Sequence, residues 1–222
     1  MTEAEAMQKR HSVRKYLDKP ISEAHLAALR EEIDACNQEG GLNIQLVTEE
    51  PKAFSSLLAK YGRFSGVRNY FCMIGPKTDD LDFKLGWYGE RLVLKAQQLG
   101  LNTCWVGLSY KKIAGAYELG PSEALRLVIS VGYGVTQGSS HKSKEEEDVM
   151  DAVEPIPLWF MNGVRAALLA PTAINQQKFR FILHENGTVS AKCAHAPYAK
   201  VDLGIAKYHF MLGAGKENFR WA

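Results

Sequence analysis

The chain has 222 residues, of which 46% are hydrophobic, and this length allows one large domain or two small ones around a packed core. Its 27 basic residues almost balance its 25 acidic ones, which leaves a net charge of +2. Because there is no long basic tract, the chain lacks the pattern of a protein that binds the nucleic-acid backbone. We therefore expect a soluble globular protein that binds no nucleic acid, while a local anion site stays open.

The four cysteines are widely separated and include no C-x-x-C pair, so neither a zinc cluster nor a disulfide framework is indicated. No segment approaches the roughly 20 consecutive apolar residues that a membrane span requires. The polar N-terminal residues 1–9 contain no apolar signal segment. These features predict a cytoplasmic protein with reduced thiols, no metal site and no membrane association.

The first part of the chain alternates helical and strand patterns. Ser22 precedes apolar residues at helical spacing, which predicts a capped helix that ends near Gly40 and Gly41. A long apolar helix is predicted over residues 85–99, and residues 101–106 leave that helix. The strand patterns of this part cover residues 42–47, 70–74 and 125–132.

A polar stretch at residues 138–148 has the composition of a loop, and regular patterns resume after it. They predict a helix over residues 158–169, a strand over residues 179–183, a turn at residues 186–187 and an apolar helix over residues 201–214.

The two parts of the chain share an order of elements that suggests an internal duplication. The strand at residues 42–47 corresponds to residues 178–183, and Leu85-Gly86 in the long helix corresponds to Leu203-Gly204. Chance similarity between stretches of an α+β chain is the alternative. A degenerate repeat predicts a pseudo-twofold arrangement of the two halves.

Arg10, Ser12 and Arg14 occupy alternate positions, so an extended backbone would direct two guanidinium groups and a hydroxyl to the same side. Such a group of donors suits a phosphate. Lys142 and Lys144, in the polar loop, could add positive charge to it. For residues 10–14 the alternative is a solvated basic tail. For the two lysines the alternative is a solvated loop in which they pair with nearby acidic residues.

A second informative segment covers residues 170–177. Pro171 ends a helix there, and the small residues Thr172 and Ala173 allow a flat ligand to approach the backbone. Asn175 offers both donors and acceptors, as the edge of a heterocycle requires. An ordinary loop between a helix and a strand is the alternative.

The third segment follows the long apolar helix. Gly107 would allow a backbone N–H to approach a ligand ring without a side chain in the way. We interpret Trp105 as a core anchor and Cys104 as a small buried hydrophobic residue without an activating base. The histidines show no ligand spacing, and neither a Rossmann nor a P-loop glycine motif occurs.

Taken together, these segments resemble the FMN-dependent nitroreductase family. The resemblance covers most of residues 9–150 and is carried by residues 10–14, 85–107, 127–134 and 141–146. It implies an α+β fold with a central, mainly antiparallel sheet packed by helices. It also implies that the FMN phosphate and ribityl chain are held by Arg10, His11, Ser12, Arg14 and either Lys142 or Lys144.

One departure from the family pattern is informative. In the family, a proline, small residues and an asparagine follow the first helix and serve the flavin of the partner subunit in an intertwined homodimer. Here residues 35–42 fit that pattern poorly, whereas Pro171, Thr172, Ala173 and Asn175 fit it well.

We therefore expect a fused pseudo-dimer with one FMN site. Residues 9–148 would form the first nitroreductase-like half and residues 151–222 a shorter second half, within one compact flavin-binding unit of residues 1–222. Such a chain would be a monomer or a weak homo-oligomer.

The resemblance implies transfer of a hydride from NADH or NADPH to the flavin and then to a nitroaromatic, a quinone or a related acceptor. No catalytic side chain is expected, because the cofactor carries the chemistry. The backbone around Gly107 would contact flavin N5. The alternative is a flavin-binding or small-molecule-binding module without turnover.

Overall fold

The computed structural model describes residues 1–222 as two compact units. Unit 1 comprises Met1–Leu81 and Arg91–Ser140, and unit 2 comprises Asp82–Glu90 and His141–Ala222. Unit 2 therefore includes residues 82–90, which form the N-terminal half of one long helix.

Unit 1 contains a four-stranded antiparallel sheet in the order β1-β2-β4-β3. Its strands are β1 (Gln45–Val47), β2 (Asn69–Pro76), β3 (Asn102–Val106) and β4 (Glu123–Gly132). The strands predicted at residues 70–74 and 125–132 are present and extend further. β1 is shorter than the predicted strand at residues 42–47, because its pairing with β2 begins only at Gln45.

Four helices begin in this part of the chain: α1 (Glu3–Lys9), α2 (Glu23–Gly40), α3 (Leu57–Tyr61) and α4 (Leu81–Gln98). The Ser22 side chain accepts a hydrogen bond from the His25 N–H, and Gly41 ends α2 with φ of 62°. The polar sequence of α1 gave no helix prediction. The helix is nevertheless capped by Thr2 and Glu5, and its residues Ala6 and Met7 are buried.

Unit 2 contains a second four-stranded sheet, in the order β5-β6-β7-β8. Its strands are β5 (Met150–Asp151), β6 (Phe179–Leu183), β7 (Thr188–Cys193) and β8 (Arg220–Trp221), and its helices are α5 (Leu158–Ala167) and α6 (Ala199–Ala214). The central pair β6-β7 is antiparallel, whereas β5 and β8 pair in parallel with their neighbours. The predicted strand at residues 179–183 coincides with β6.

The core of unit 2 combines aromatic stacking with one buried polar pair. The rings of Phe181 and Phe210 stack with centroids 4.4 Å apart, and Phe160 packs edge-on against Phe210. Glu90 and His209 are both fully buried, and His209 Nε2 lies 2.8 Å from Glu90 Oε1. The hydrogen bond satisfies polar groups that would otherwise be costly to bury.

Within unit 2, the N-terminal half of α4 and the first turns of α6 approach each other backbone to backbone. A Cβ atom at Gly86 would collide with the carbonyl oxygen of Val201, and one at Gly204 would collide with the carbonyl oxygen of Phe83. The contacts are reciprocal, because each glycine meets the residue three positions before the other. Only glycine at both positions permits this separation.

None of the helices is of a length and apolarity that would let it cross a lipid bilayer.

Candidate functional site

The segment that carries the predicted phosphate cradle is extended and fixed along the sheet of unit 1. Arg10 has extended backbone angles (φ −69°, ψ 122°), and Ser12 forms a parallel bridge with Thr103 of β3. The Val13 N–H donates to the Thr103 carbonyl oxygen at 2.9 Å, and the Val13 side chain is buried. The extended backbone on which the cradle prediction depends is therefore present.

The buried thiol of Cys104 lies near the segment that carries Arg10, Ser12 and Arg14. Burial raises the pKa of Cys104, while the charge of Arg14, a hydrogen bond with Ser12 and the charge of Arg10 act in the opposite direction. All three side chains therefore lie close enough to influence the same sulfur atom. Cys104 itself is buried, as predicted, in a setting that keeps it a thiol.

Arg14 and Gly107 line one pocket of about 450 Å³ in unit 1. Trp105 also lines it and is only half-buried, so its interpretation as a core anchor is wrong: β3 ends at Val106, and the ring lies at the pocket. The pocket size is within the usual range for small-molecule sites.

The pocket is positively charged. Arg14 is exposed and makes no ion pair or side-chain hydrogen bond within the chain, and Arg63 and Tyr61 also line the pocket while no carboxylate does. Such a surface favours an anionic ligand with a planar ring, because guanidinium groups bind anions and stack on rings. The sequence offered no signal for Arg63 or Tyr61, since neither belongs to a motif.

His11 does not line the pocket and lies instead beside the polar loop. It is half-buried, and a Cβ atom at Gly138 would lie 2.7 Å from the His11 Cβ. The backbone thus places His11 against the start of the polar loop rather than among the residues that line the pocket.

Unit 2 contains the second predicted segment as a tight loop whose hydrogen bonds are largely internal. Pro171, Thr172 and Ala173 are half-buried, and Asn175 is exposed. The Asn175 amide group donates to the Lys142 carbonyl oxygen at 2.8 Å, and its Oδ1 accepts from Gln177. Part of the hydrogen-bonding capacity predicted for a heterocycle is therefore used within the protein.

The two candidate lysines differ in their surroundings. The Lys144 ammonium donates to the Gln177 carbonyl oxygen at 2.9 Å, and the Lys144 N–H donates to Gln177 Oε1. The Lys142 side chain is exposed and makes no such bond, although its carbonyl oxygen accepts from Asn175 and Gln177. Of the two, Lys142 has the ammonium group available to an anion.

Sequence reasoning missed the residues that hold this loop. Gln177 is 2% exposed, and Asp202 on α6 is 5% exposed. Asp202 accepts hydrogen bonds from the Ala173 N–H and from Gln176 Nε2. Its position within an apolar helix was a usable signal, because a carboxylate is rarely buried unless it has a partner.

The antiparallel four-stranded sheet of unit 1, with its surrounding helices, defines an α+β fold of the nitroreductase type. A family model described as "Putative TM nitroreductase" matches residues 3–214, and the chain belongs to this family. No curated protein matches the sequence at a significant level.

Solved structures share this fold at low sequence identity. A putative nitroreductase from Thermotoga maritima is 23% identical with a TM-score of 0.66, over 100% of this chain and 87% of its own. A putative nitroreductase from Desulfovibrio desulfuricans, solved in complex with FMN, is 18% identical with a TM-score of 0.55, over 71% of this chain and 99% of its own. The NfrA1 nitroreductase of B. subtilis is 12% identical with a TM-score of 0.53, over 66% of this chain and 72% of its own.

Proposed function

We propose that the chain is an FMN-dependent oxidoreductase that passes a hydride from NADH or NADPH through the flavin to a nitroaromatic, a quinone or a related acceptor. The observation that carries the proposal is the meeting of Arg14 and Gly107, which were selected from separate segments of the sequence, at one pocket. Family membership and the fold shared with an FMN-bound relative support it.

The residues of unit 1 fit an anionic flavin nucleotide. Arg14 lies at the pocket, and we propose that Arg10 and Ser12, which do not line the pocket but alternate with Arg14 along the same extended segment, complete the phosphate site. The FMN phosphate carries close to two negative charges at neutral pH, which two guanidinium groups can offset. Trp105 supplies an aromatic surface at the same pocket.

The flavin would supply the redox chemistry by accepting and donating a hydride, so the protein requires no general base. The chain's own part is to bind and orient the cofactor. Arg14 brings positive charge to the pocket, and Gly107 leaves the backbone accessible there. From unit 2, we propose Thr172 and Asn175 as ligands of the ring, with Pro171 and Ala173 shaping their loop, and Lys142 in preference to Lys144 as a ligand of the phosphate.

We also propose that the chain is a fused pseudo-dimer. The reciprocal contact of Gly86 and Gly204 supports this, because two copies related by a twofold axis contact each other through equivalent residues. The correspondence between the two halves of the sequence pairs the same two glycines. The fusion accounts for a family loop that occurs in the second half of the chain and not after α2.

The decisive experiment is a spectrum of the purified, FMN-saturated protein before and after anaerobic addition of NADH or NADPH. A visible flavin band that disappears with either nucleotide, and returns when a nitroaromatic or a quinone is added, is the expected result. A band that neither nucleotide removes would favour the binding module without turnover. Protein that takes up no FMN would refute the proposal.

A further inference from the structure

The loop of residues 171–177 has a backbone that its own sequence does not favour. Ile174, Asn175 and Gln177 have positive φ values of 47°, 57° and 44°. A β-branched residue is rarely found in this region, and the Ile174 side chain is 97% exposed, so no packing of its own compensates. The conformation therefore depends on contacts made by other residues.

Asp202 makes two of these contacts from the first turn of α6. Its Oδ1 accepts from the Ala173 N–H at 3.0 Å and its Oδ2 accepts from Gln176 Nε2 at 2.7 Å. Both oxygens are thus occupied by the loop, and the bonds lie on either side of Ile174. Hydrogen bonds to an ionised acceptor are stronger than those between neutral groups.

Other contacts of the loop come from irregular segments. Gln177 donates to the Lys142 carbonyl oxygen and accepts from Lys144, both in the polar loop before β5, and Gln176 also donates to the Pro197 carbonyl oxygen. Asp202 instead belongs to a sixteen-residue helix whose backbone is fixed by its own hydrogen bonds. Asp202 therefore holds the loop from a rigid helix, whereas the lysines hold it from a loop.

We propose that Asp202 is a positioning residue, whose carboxylate fixes the loop of residues 171–177 in the conformation that presents Thr172 and Asn175 to the flavin. This inference rests on the proposed function. Asp202 touches no cofactor in this scheme and acts only through the loop.

The test compares Asp202→Asn with Glu185→Gln, a matched change of a carboxylate to an amide at an exposed position of unit 2. In D202N, Oδ1 can still accept from Ala173, but the new NH₂ group faces the NH₂ group of Gln176 and cannot accept from it. Gln176→Ala removes the bond to Asp202 from the loop side, together with the bond from Gln176 to the Pro197 carbonyl oxygen, and it is the second variant if D202N does not fold.

Hydrogen exchange of the Ala173 amide is measured first, on protein without flavin. We expect exchange about tenfold faster in D202N or Q176A than in the unchanged chain, and no change in E185Q. FMN affinity and the visible circular dichroism of the bound flavin are measured next. We expect the Kd for FMN to rise about tenfold and the dichroism to change, in variants that still unfold cooperatively.

Unchanged exchange at Ala173 in the folded variants would overturn the role of Asp202 in holding the loop. Faster exchange with unchanged FMN affinity and dichroism would overturn its link to the flavin. If the unchanged chain takes up no FMN, the proposed function fails and the link to the flavin fails with it, while the exchange measurement still decides whether Asp202 holds the loop.

Discussion

Val13 and Arg14 are neighbours in sequence but lie in opposite surroundings, because side chains alternate along an extended backbone. Val13 packs in the core of unit 1 and Arg14 lies at the pocket. The alternation was readable from the sequence, since it needs only local geometry. The pairing of Arg14 with Arg63 at one pocket was not, because it depends on where α3 lies in the fold.

Truncation of Arg14 to Ala should weaken FMN binding roughly tenfold to a hundredfold, because a charge-assisted contact contributes about 1.5 to 3 kcal/mol. Arg30→Ala is the matched control, since Arg30 is an exposed arginine on α2 that lies away from the pocket. Titration of each variant with FMN, followed by quenching of flavin fluorescence, measures the change. Equal affinities in R14A and R30A would remove Arg14 from the site.

Asp202 should also give unfolding a characteristic pH dependence. Burial raises the pKa of this carboxyl from 3.8 to about 6, against the opposing effect of the hydrogen bonds from Gln176 and Ala173. The folded state therefore binds the proton more tightly than the unfolded state. The stabilisation is fully present below about pH 3.8 and is lost as the pH rises through about 6.

Denaturant unfolding of the wild type and of Asp202→Asn across that range isolates this contribution, because asparagine does not titrate. The difference in free energy of unfolding, wild type minus variant, should fall by as much as about 3 kcal/mol between the two pH values. The nearby thiol of Cys193 stays protonated over this range, because burial raises its pKa above 9.0. A pH-independent difference would contradict the prediction.

At the scale of elements, sequence patterns located most helices and strands because their signals are local. The caps at Ser22 and Gly41 fix both ends of α2, and β6 coincides with its predicted range. Sequence patterns failed to locate elements whose secondary structure depends on pairing with, or burial against, residues that are distant in the sequence. α1 has two buried residues in a polar sequence, and β5 and β8 are two-residue strands defined only by their neighbours.

The close contact between α4 and α6 predicts that one added methyl group at Gly204 lowers the stability of the fold. Gly204→Ala would place a Cβ atom against the backbone of Phe83 and Trp87, so the free energy of unfolding should fall by about 1–3 kcal/mol despite the higher helix propensity of alanine. Gly120→Ala is the control, because its Cβ would come no closer than 3.1 Å to the Glu123 side chain and would meet no backbone atom. Chemical denaturation measures both, and equal stabilities would show that the helices separate at little cost.

At the scale of the whole molecule, the proposed fusion makes a stoichiometric prediction. Only the first half carries an Arg-x-Ser-x-Arg segment, so the chain should bind one FMN rather than two. Saturation with FMN, removal of unbound cofactor and measurement of flavin against protein concentration give the ratio. A ratio of two FMN per chain would show that the second half keeps a phosphate site of its own.

The division of α4 between the units has a consequence for any truncation of the chain. Its residues Asp82–Glu90, in the N-terminal half of the helix, belong to unit 2, while Leu81 and residues 91–98 belong to unit 1. A fragment that ended after residue 140 would contain Gly86 without Gly204 and Glu90 without His209. Each unit is built from two separate stretches of the chain, so no single cut leaves either unit intact.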